Sequence, residues 1–183
     1  MNYVRYYDDV LTKKLCKEFI DRFENSSSEY ETHSNDTMSF TQINLNQNKT
    51  WHQYIQPLAH FFRDCIAQYK EDCNIVDGMF PSRYGFEEFR LKRYLPNDID
   101  EFRNHVDVNN YANARRFLVF FLYLDDNKKG HTTFPQSNIS VQPKAGRMLM
   151  FPPMWTHLHA GTKPVDKPKY IIGSYLHYVW TWP

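Results

Sequence analysis

The stretch that decides the fold is RFLVFFLYLDDNKKGHTTFPQSNISVQPKAGRMLMF, residues 116–151. Three apolar runs in it have the length of short strands: Arg116–Leu124, Ile139–Val141 and Arg147–Phe151. The segments between them, Asp125–Gly130 and Pro143–Gly146, concentrate the glycine, proline and Asn/Asp residues that favour turns. Strands this short and this evenly spaced predict an antiparallel sandwich or jelly roll.

The same pattern of strand and turn extends to both sides of this stretch. Further strands are predicted at Glu88–Tyr94, Thr156–Ala160 and Tyr170–Tyr178, with turns at 96–98 and 161–168. Most of the predicted strands therefore follow residue 78.

The first 77 residues show a different periodicity. Apolar residues recur at three- and four-residue steps in Asp8–Phe23 and again in Thr50–Tyr69, which predicts two amphipathic helices. Asp8 or Asp9 is the predicted cap of the first helix. Between the helices, Asn25–Lys49 is rich in polar residues and predicts a mobile loop with one edge strand around Met38–Leu45.

Helices followed by strands, rather than alternating with them, argue against a doubly wound fold. We therefore predict an α+β protein, a jelly roll (double-stranded β-helix) of mainly antiparallel strands buttressed by two N-terminal helices. We expect a single domain over residues 1–183. Residues 1–77 would form the helical support and the mobile loop, and residues 78–183 the jelly-roll core.

Charge and hydropathy narrow the choice of partners. The 183 residues include 22 basic and 21 acidic side chains, a net charge of +1, so we expect no nucleic acid partner. No apolar run approaches signal-peptide or membrane-helix length, which predicts a cytoplasmic protein without a membrane partner. The three cysteines form no CxxC pair and are expected to be reduced thiols.

His105-Val106-Asp107 is the sharpest chemical motif. In an extended segment residues i and i+2 project to the same face, so this imidazole and carboxylate would converge on one point. They would supply two thirds of the 2-His-1-carboxylate triad of iron(II) oxygenases. On its own, a His-x-Asp motif is weak evidence for a metal site, since many solvated strand ends contain one by chance. A third ligand could come from His157 or His159, which lie two apart on one predicted strand, and the residues alone leave both open.

Lys169 begins the last apolar strand. A lysine buried there would need an anionic partner. Two interpretations follow: the side chain reaches water at the rim of the fold, or its ammonium is the counter-ion for the carboxylate of a bound acid.

Taken in order, His105-Val106-Asp107, His159-Ala160-Gly161 and Lys169 resemble the HxD…H…K signature of the iron(II)/2-oxoglutarate dioxygenases, in particular the prolyl 4-hydroxylase-like branch. Four intervening pieces match that family in the correct order: residues 122–125 (LYLD), 130–135 (GHTTFP), 141–146 (VQPKAG) and 150–152 (MFP). The resemblance covers about residues 88–177. The order of the motifs makes it specific.

The resemblance implies a role for each matching residue. His159 fits the family's distal ligand, whereas His157 is out of step by two. The implied iron ligands are His105, Asp107 and His159. Lys169 would pair with the distal carboxylate of 2-oxoglutarate, and the implied further co-substrate contacts are Tyr94, Tyr123 and Thr132. The implied cofactors are Fe(2+), 2-oxoglutarate and O2, with ascorbate as reductant.

The implied reaction is hydroxylation of a C–H bond, with a prolyl residue of a peptide or protein as the expected substrate. Two alternatives remain: the same chemistry on a small molecule or another protein side chain, or a catalytically silent jelly-roll binding module. Phe102, where many relatives carry tyrosine, and Lys129, in place of a turn glycine, depart from the family pattern. The aromatic residues proposed for the substrate groove are Tyr84, Phe86, Trp155, Tyr175 and Trp180.

Overall fold

Strands that pair antiparallel form one curled sheet in residues 2–180, the part of the chain that the computed structural model describes. The strands are β1 Arg5–Tyr7, β2 Glu31–Ser34, β3 Met38–Asn44, β4 Tyr84–Phe86, β5 Arg90–Tyr94, β6 Glu101–His105, β7 Arg116–Tyr123, β8 Thr132–Phe134, β9 Ile139–Val141, β10 Met148–Phe151, β11 His159–Gly161 and β12 Lys169–Tyr178. Their order is β1-β10-β7-β12-β5-β3-β6-β11-β8-β9, with β2 beside β3 and β4 beside β12. This is the predicted jelly roll.

Both faces of the central strands are buried, which explains their continuous apolar sequence. Along β7, Leu118, Phe120 and Leu122 face the helices, whereas Val119 and Tyr123 face the interior of the jelly roll. The same alternation continues along β10 and β12. The sheet thus separates a helix-side core from an inner core, and the residues of the predicted site lie beside the inner core.

Two helices, α1 Lys13–Glu24 and α2 His52–Asp72, cover the outer face of the sheet. Phe19 and Phe23 of α1 and Phe62 of α2 are buried there. The prediction that α1 begins at Asp8 was wrong, because Thr12 is the cap and its hydroxyl accepts a hydrogen bond from the Leu15 amide at 3.3 Å. The three cysteines are buried and unpaired.

The expectation of a loop with one edge strand between the helices was also wrong. β2 and β3 form a hairpin, and β3 is an interior strand that pairs with β5 and β6. Gln42 and Asn44 of β3 are buried but hydrogen-bonded, Gln42 to Glu31 at 2.7 Å and Asn44 to Glu88 at 2.8 Å. These satisfied polar groups hide the apolar alternation of an interior strand.

The prediction of a strand over Thr156–Ala160, near the site, was wrong in its first residues. Residues Trp155–His157 form a 3-10 turn, and β11 begins only at His159. His157 and His159 therefore do not share a strand face. No helix in residues 2–180 is long and apolar enough to cross a membrane.

Candidate functional site

Strand pairing brings His105, Asp107 and His159 together. His105 ends β6, and β11 runs antiparallel to β6 with His159 directly opposite His105. Asp107 lies two residues beyond the end of β6. Its Oδ1 is 3.7 Å from His105 Nε2 and its Oδ2 is 3.4 Å from His159 Nε2. One ligand atom from each residue lies within 4.8 Å of the others.

Backbone carbonyls select the same tautomer of both histidines. His105 Nδ1 is 2.7 Å from the Arg103 carbonyl, and His159 Nδ1 is 3.0 Å from the His157 carbonyl. A carbonyl only accepts, so each Nδ1 must carry the hydrogen and donate it. The Nε2 atoms of the neutral rings are then left with free lone pairs, as metal ligands require.

The ligand atoms themselves have no hydrogen-bond partner among the described residues. His105 Nε2, His159 Nε2 and Asp107 Oδ2 are all buried and unsatisfied. Buried polar atoms in folded proteins are nearly always paired, so three orphans that face one point indicate a missing ligand. Two imidazole nitrogens and one carboxylate oxygen are the donor set of the facial triad, and they fit iron(II).

Tyr175 and burial set the ionisation of the triad. The Tyr175 hydroxyl donates to Asp107 Oδ1 at 2.8 Å, which leaves Oδ2 for a metal. Burial alone would raise the pKa of Asp107, but the adjacent imidazoles of His105 and His159 and the Tyr175 hydroxyl together hold that pKa below its ordinary value. Burial lowers the pKa of His159 to about 4, although Asp107 opposes the shift. At neutral pH the triad is an anionic carboxylate with a neutral His159.

Lys169 lies beside the triad with its side chain fully inside the protein, at 1% exposure. Its ammonium donates to the Gly130 carbonyl at 3.0 Å and the Thr162 carbonyl at 3.4 Å, and it lies 4.4 Å from the centre of the Tyr94 ring. Burial lowers the pKa of Lys169 to about 7. The interpretation that this lysine reaches water is therefore wrong, and no carboxylate of residues 2–180 forms a salt bridge with it.

The triad and Lys169 line one small inner cavity of about 20 Å³. Tyr94 and Thr132 also line it, whereas Tyr123 is reached indirectly, because its hydroxyl donates to Thr132 Oγ1 at 2.6 Å. The volume holds about one water molecule. A five-carbon dicarboxylate would therefore bind there only with a displacement of the lining side chains.

The other histidines lie away from the triad. His157 is half-buried with Nδ1 2.8 Å from Thr156 Oγ1, and its contribution to the site is its backbone carbonyl. Of the aromatic groove candidates, Tyr175 lines the inner cavity. Tyr84 and Phe86 instead pack against the helix-side core, and Trp155 is exposed.

Sequence reasoning missed two polar residues near the triad, Lys92 and Arg116. Lys92 lines the inner cavity, and the Arg116 guanidinium lies 4.0 Å from the centre of the Tyr175 ring. Alternation along β5 could have found Lys92, because it is two residues before Tyr94 and shares its face.

Comparisons with known proteins agree with this geometry. Residues 89–177 match the protein-family model of the 2OG-Fe(II) oxygenase superfamily. The search of curated proteins found no match. Among solved structures, the viral collagen prolyl hydroxylase of Paramecium Bursaria Chlorella virus-1, in its 2OG complex, is similar with a TM-score of 0.75 at 20% identity, covering 97% of each chain.

Two further prolyl hydroxylases share the fold. A Pseudomonas putida prolyl-4-hydroxylase aligns with a TM-score of 0.71 at 15% identity, covering 98% of this chain and 95% of the other. A Trichoplax adhaerens prolyl hydroxylase, in complex with a hypoxia inducible factor peptide fragment, aligns with a TM-score of 0.73 at 14% identity, covering 97% and 84%. The segment that matches the 2OG-Fe(II) oxygenase superfamily model spans the triad and Lys169, and it covers 89 of the 183 residues, just under half of the chain.

Proposed function

We propose that this protein is an iron(II)- and 2-oxoglutarate-dependent dioxygenase that hydroxylates a prolyl residue in a peptide or protein. The observation that carries the proposal is the convergence of three unsatisfied buried ligand atoms, on His105, Asp107 and His159, beside the buried ammonium of Lys169. The three ligand atoms have no hydrogen-bond partner within the described residues, and the ammonium has no salt-bridge partner there; together they fit a metal and an anionic co-substrate.

When bound, iron(II) supplies the activation of O2, at the expense of 2-oxoglutarate. The residues of this chain position the reactants. His105 and His159 present Nε2 because their Nδ1 hydrogens are held by backbone carbonyls. Asp107 presents Oδ2 because Tyr175 holds Oδ1.

Lys169 and Thr132 would hold the distal carboxylate of 2-oxoglutarate. The Thr132 hydroxyl accepts from Tyr123, so its own hydrogen is free to donate to that carboxylate. The Lys169 ammonium makes two hydrogen bonds to carbonyls and keeps a third donor. Burial strengthens such a charge pair, since water does not screen it.

A peptide substrate is supported by the relatives and by a second cavity. The similar structures are a viral collagen prolyl hydroxylase, a prolyl-4-hydroxylase and a prolyl hydroxylase with a bound peptide fragment. In this chain an outer cavity of about 210 Å³ adjoins the inner one, with the aromatic side chains Phe40, Phe121 and Tyr175 in its wall. An extended prolyl peptide is a low-entropy ligand for such an aromatic groove.

The test is turnover with iron(II), 2-oxoglutarate, O2 and ascorbate, followed by succinate formation and by the mass of the peptide. A proline-rich peptide should gain one oxygen atom and raise succinate formation, whereas the same peptide with alanine for proline should do neither. His105→Ala and Asp107→Ala should lose all turnover. Absence of any turnover in the wild type would favour the binding module, and turnover that no prolyl peptide stimulates would favour another substrate.

A further inference from the structure

Basic side chains line the outer cavity. Arg90, Lys92, Arg116 and His33 line it, and none of its lining residues is a carboxylate. Lys92 also lines the inner cavity, so it lies on the boundary between the triad and the outer space.

The two arginines of the outer cavity already have anionic partners. Arg90 donates to Glu88 at 2.6 Å, and Arg116 donates to both carboxylate oxygens of Glu87 at 2.8 and 3.1 Å. Their charges are balanced by side chains of the protein itself. The two arginines therefore do not need an anionic group from a ligand to balance their charge.

Lys92 has no such partner. Within residues 2–180 its ammonium makes neither a hydrogen bond nor a salt bridge, and its nearest aromatic neighbours are Phe40, at 4.5 Å from the ring centre, and Phe102, at 6.0 Å. Burial lowers the pKa of Lys92 to about 8, with only a partial opposing effect from Asp107. When Asp107 binds a metal, the metal charge would neutralise the carboxylate, and Asp107 would no longer balance the charge of Lys92.

The backbone holds Lys92 in this place. β5 lies between β3 and β12, and Lys92 pairs with Gln42 on one side and Ile171 on the other. Lys92 is half-buried rather than enclosed, and it lines both cavities. Its ammonium therefore stays at the mouth of the inner cavity.

His33 is an independent observation in the same cavity. Its Nε2 is buried without a hydrogen-bond partner, with the nearest Glu31 carboxylate oxygen at 3.8 Å, and its ring contacts Phe40 with 5.1 Å between ring centres. Lys92 and His33 thus share Phe40 as a neighbour, and neither side chain makes a hydrogen bond within residues 2–180. A single anionic group of a ligand in the outer cavity could satisfy both.

We infer that the substrate of this enzyme carries a carboxylate close to the carbon that is oxidised, and that Lys92, with His33, binds this carboxylate in the outer cavity. The inference rests on the proposed function and adds a substrate class to it. Lys169 already serves the co-substrate, so Lys92 is assigned to the substrate. The carboxylate is either an acidic side chain of a peptide or the free carboxyl end of a chain or amino acid.

The first experiment compares pairs of blocked prolyl peptides that differ only by Glu or Gln at one position beside the target proline. For the wild type, kcat/KM should favour Glu by about tenfold or more at one position, as a charge-assisted pair provides. A further pair, ending in proline with a free or an amidated carboxyl group, tests the second source of the carboxylate. In Lys92→Met, the ratio of kcat/KM between the two members of the preferred pair should fall to near one. The exposed Lys14→Met is the matched control and should keep the wild-type ratio.

The second experiment needs no turnover. Lysines of the wild-type protein, loaded with iron(II) and 2-oxoglutarate under argon, are acetylated with acetic anhydride and counted by mass spectrometry. The acidic peptide should slow acetylation of Lys92 several-fold, the neutral one should not, and Lys14 should be unaffected. If the peptides protect Lys92 without being hydroxylated, the carboxylate subsite stands and prolyl hydroxylation fails.

Three results would overturn the inference. One is equal protection of Lys92 by the acidic and neutral members of every pair. Another is a Glu preference that survives in Lys92→Met. The third is protection by 2-oxoglutarate alone as strong as that by the acidic peptide, which would place Lys92 in the co-substrate site.

Discussion

Removal of the Tyr175 hydroxyl should weaken metal binding, although Tyr175 is not itself a proposed metal ligand. In Tyr175→Phe the ring stays in the inner core beside Arg116, but Asp107 Oδ1 loses its 2.8 Å hydrogen bond. The carboxylate can then rotate, and Oδ2 no longer has a fixed direction toward the two Nε2 atoms. The metal ligands themselves remain.

The size of the effect follows from the kind of hydrogen bond. A bond to a charged group contributes about 1.5–3 kcal/mol. At about 1.4 kcal/mol per factor of ten, the affinity for a divalent metal should fall about 10- to 100-fold. This range agrees with the loss expected when an outer partner of a metal ligand is removed.

The assay is calorimetric titration with Mn(II), which avoids oxidation of iron. Tyr178→Phe is the matched control, since Tyr178 lies on the same strand, is 54% exposed and makes no hydrogen bond through its hydroxyl within residues 2–180. Its metal affinity should equal that of the wild type. A Tyr175→Phe protein that binds Mn(II) within twofold of the wild type, yet turns over slowly, would refute the argument and make Tyr175 a substrate contact.

Three further outcomes are expected. Lys169→Met should raise the KM for 2-oxoglutarate about 10- to 100-fold. In the wild type, the affinity for 2-oxoglutarate in titrations across pH should be constant below pH 7 and weaken by up to about tenfold per pH unit above it. The reason is that the free protein loses the Lys169 ammonium proton at a pKa of about 7, whereas the complex with the carboxylate keeps it. His159→Ala should lose Mn(II) binding in calorimetry while His157→Ala retains it, since alanine keeps the carbonyl that holds His159. Gly146→Ala should cost at least about 2 kcal/mol and lower Tm by roughly 4–8 °C in thermal melts, because Gly146 has φ +80° and a Cβ there would lie 2.2 Å from the Leu11 carbonyl oxygen.

Sequence reasoning found every strand whose two faces are both apolar. β7, β10 and β12 are near-continuous apolar runs, so their positions and turns could be predicted to within one or two residues. β6, with sequence EFRNH, is partly exposed and polar, and its pairing partners are far away in the chain. Such a strand is defined by its neighbours in the sheet, which no local pattern reports.

Some residues of the candidate site could also be predicted from the sequence alone, and others could not. Chemical type and spacing were enough to select His105, Asp107 and Lys169, but the resemblance was needed to prefer His159 over His157. The structure adds the physical reason, since the 3-10 turn at 155–157 separates the two histidines and pairing with β6 brings His159 opposite His105. A turn that interrupts a strand by a few residues leaves little trace in side-chain alternation.

The site arises where two antiparallel pairs of one curled sheet meet. β6 and β11 place the two histidines opposite each other, and β5 and β12 place Tyr94 opposite Lys169. Burial in the jelly roll makes these groups useful, because it strips them of water, and it makes them costly, because a buried polar atom without a partner destabilises the fold. A ligand that binds only the folded state offsets that cost. The unsatisfied triad atoms and the ammonium groups of Lys169 and Lys92, which have no salt-bridge partner within residues 2–180, are therefore the proposed anchoring points for a metal, a co-substrate and a substrate, each of which would stabilise the jelly roll that creates its site.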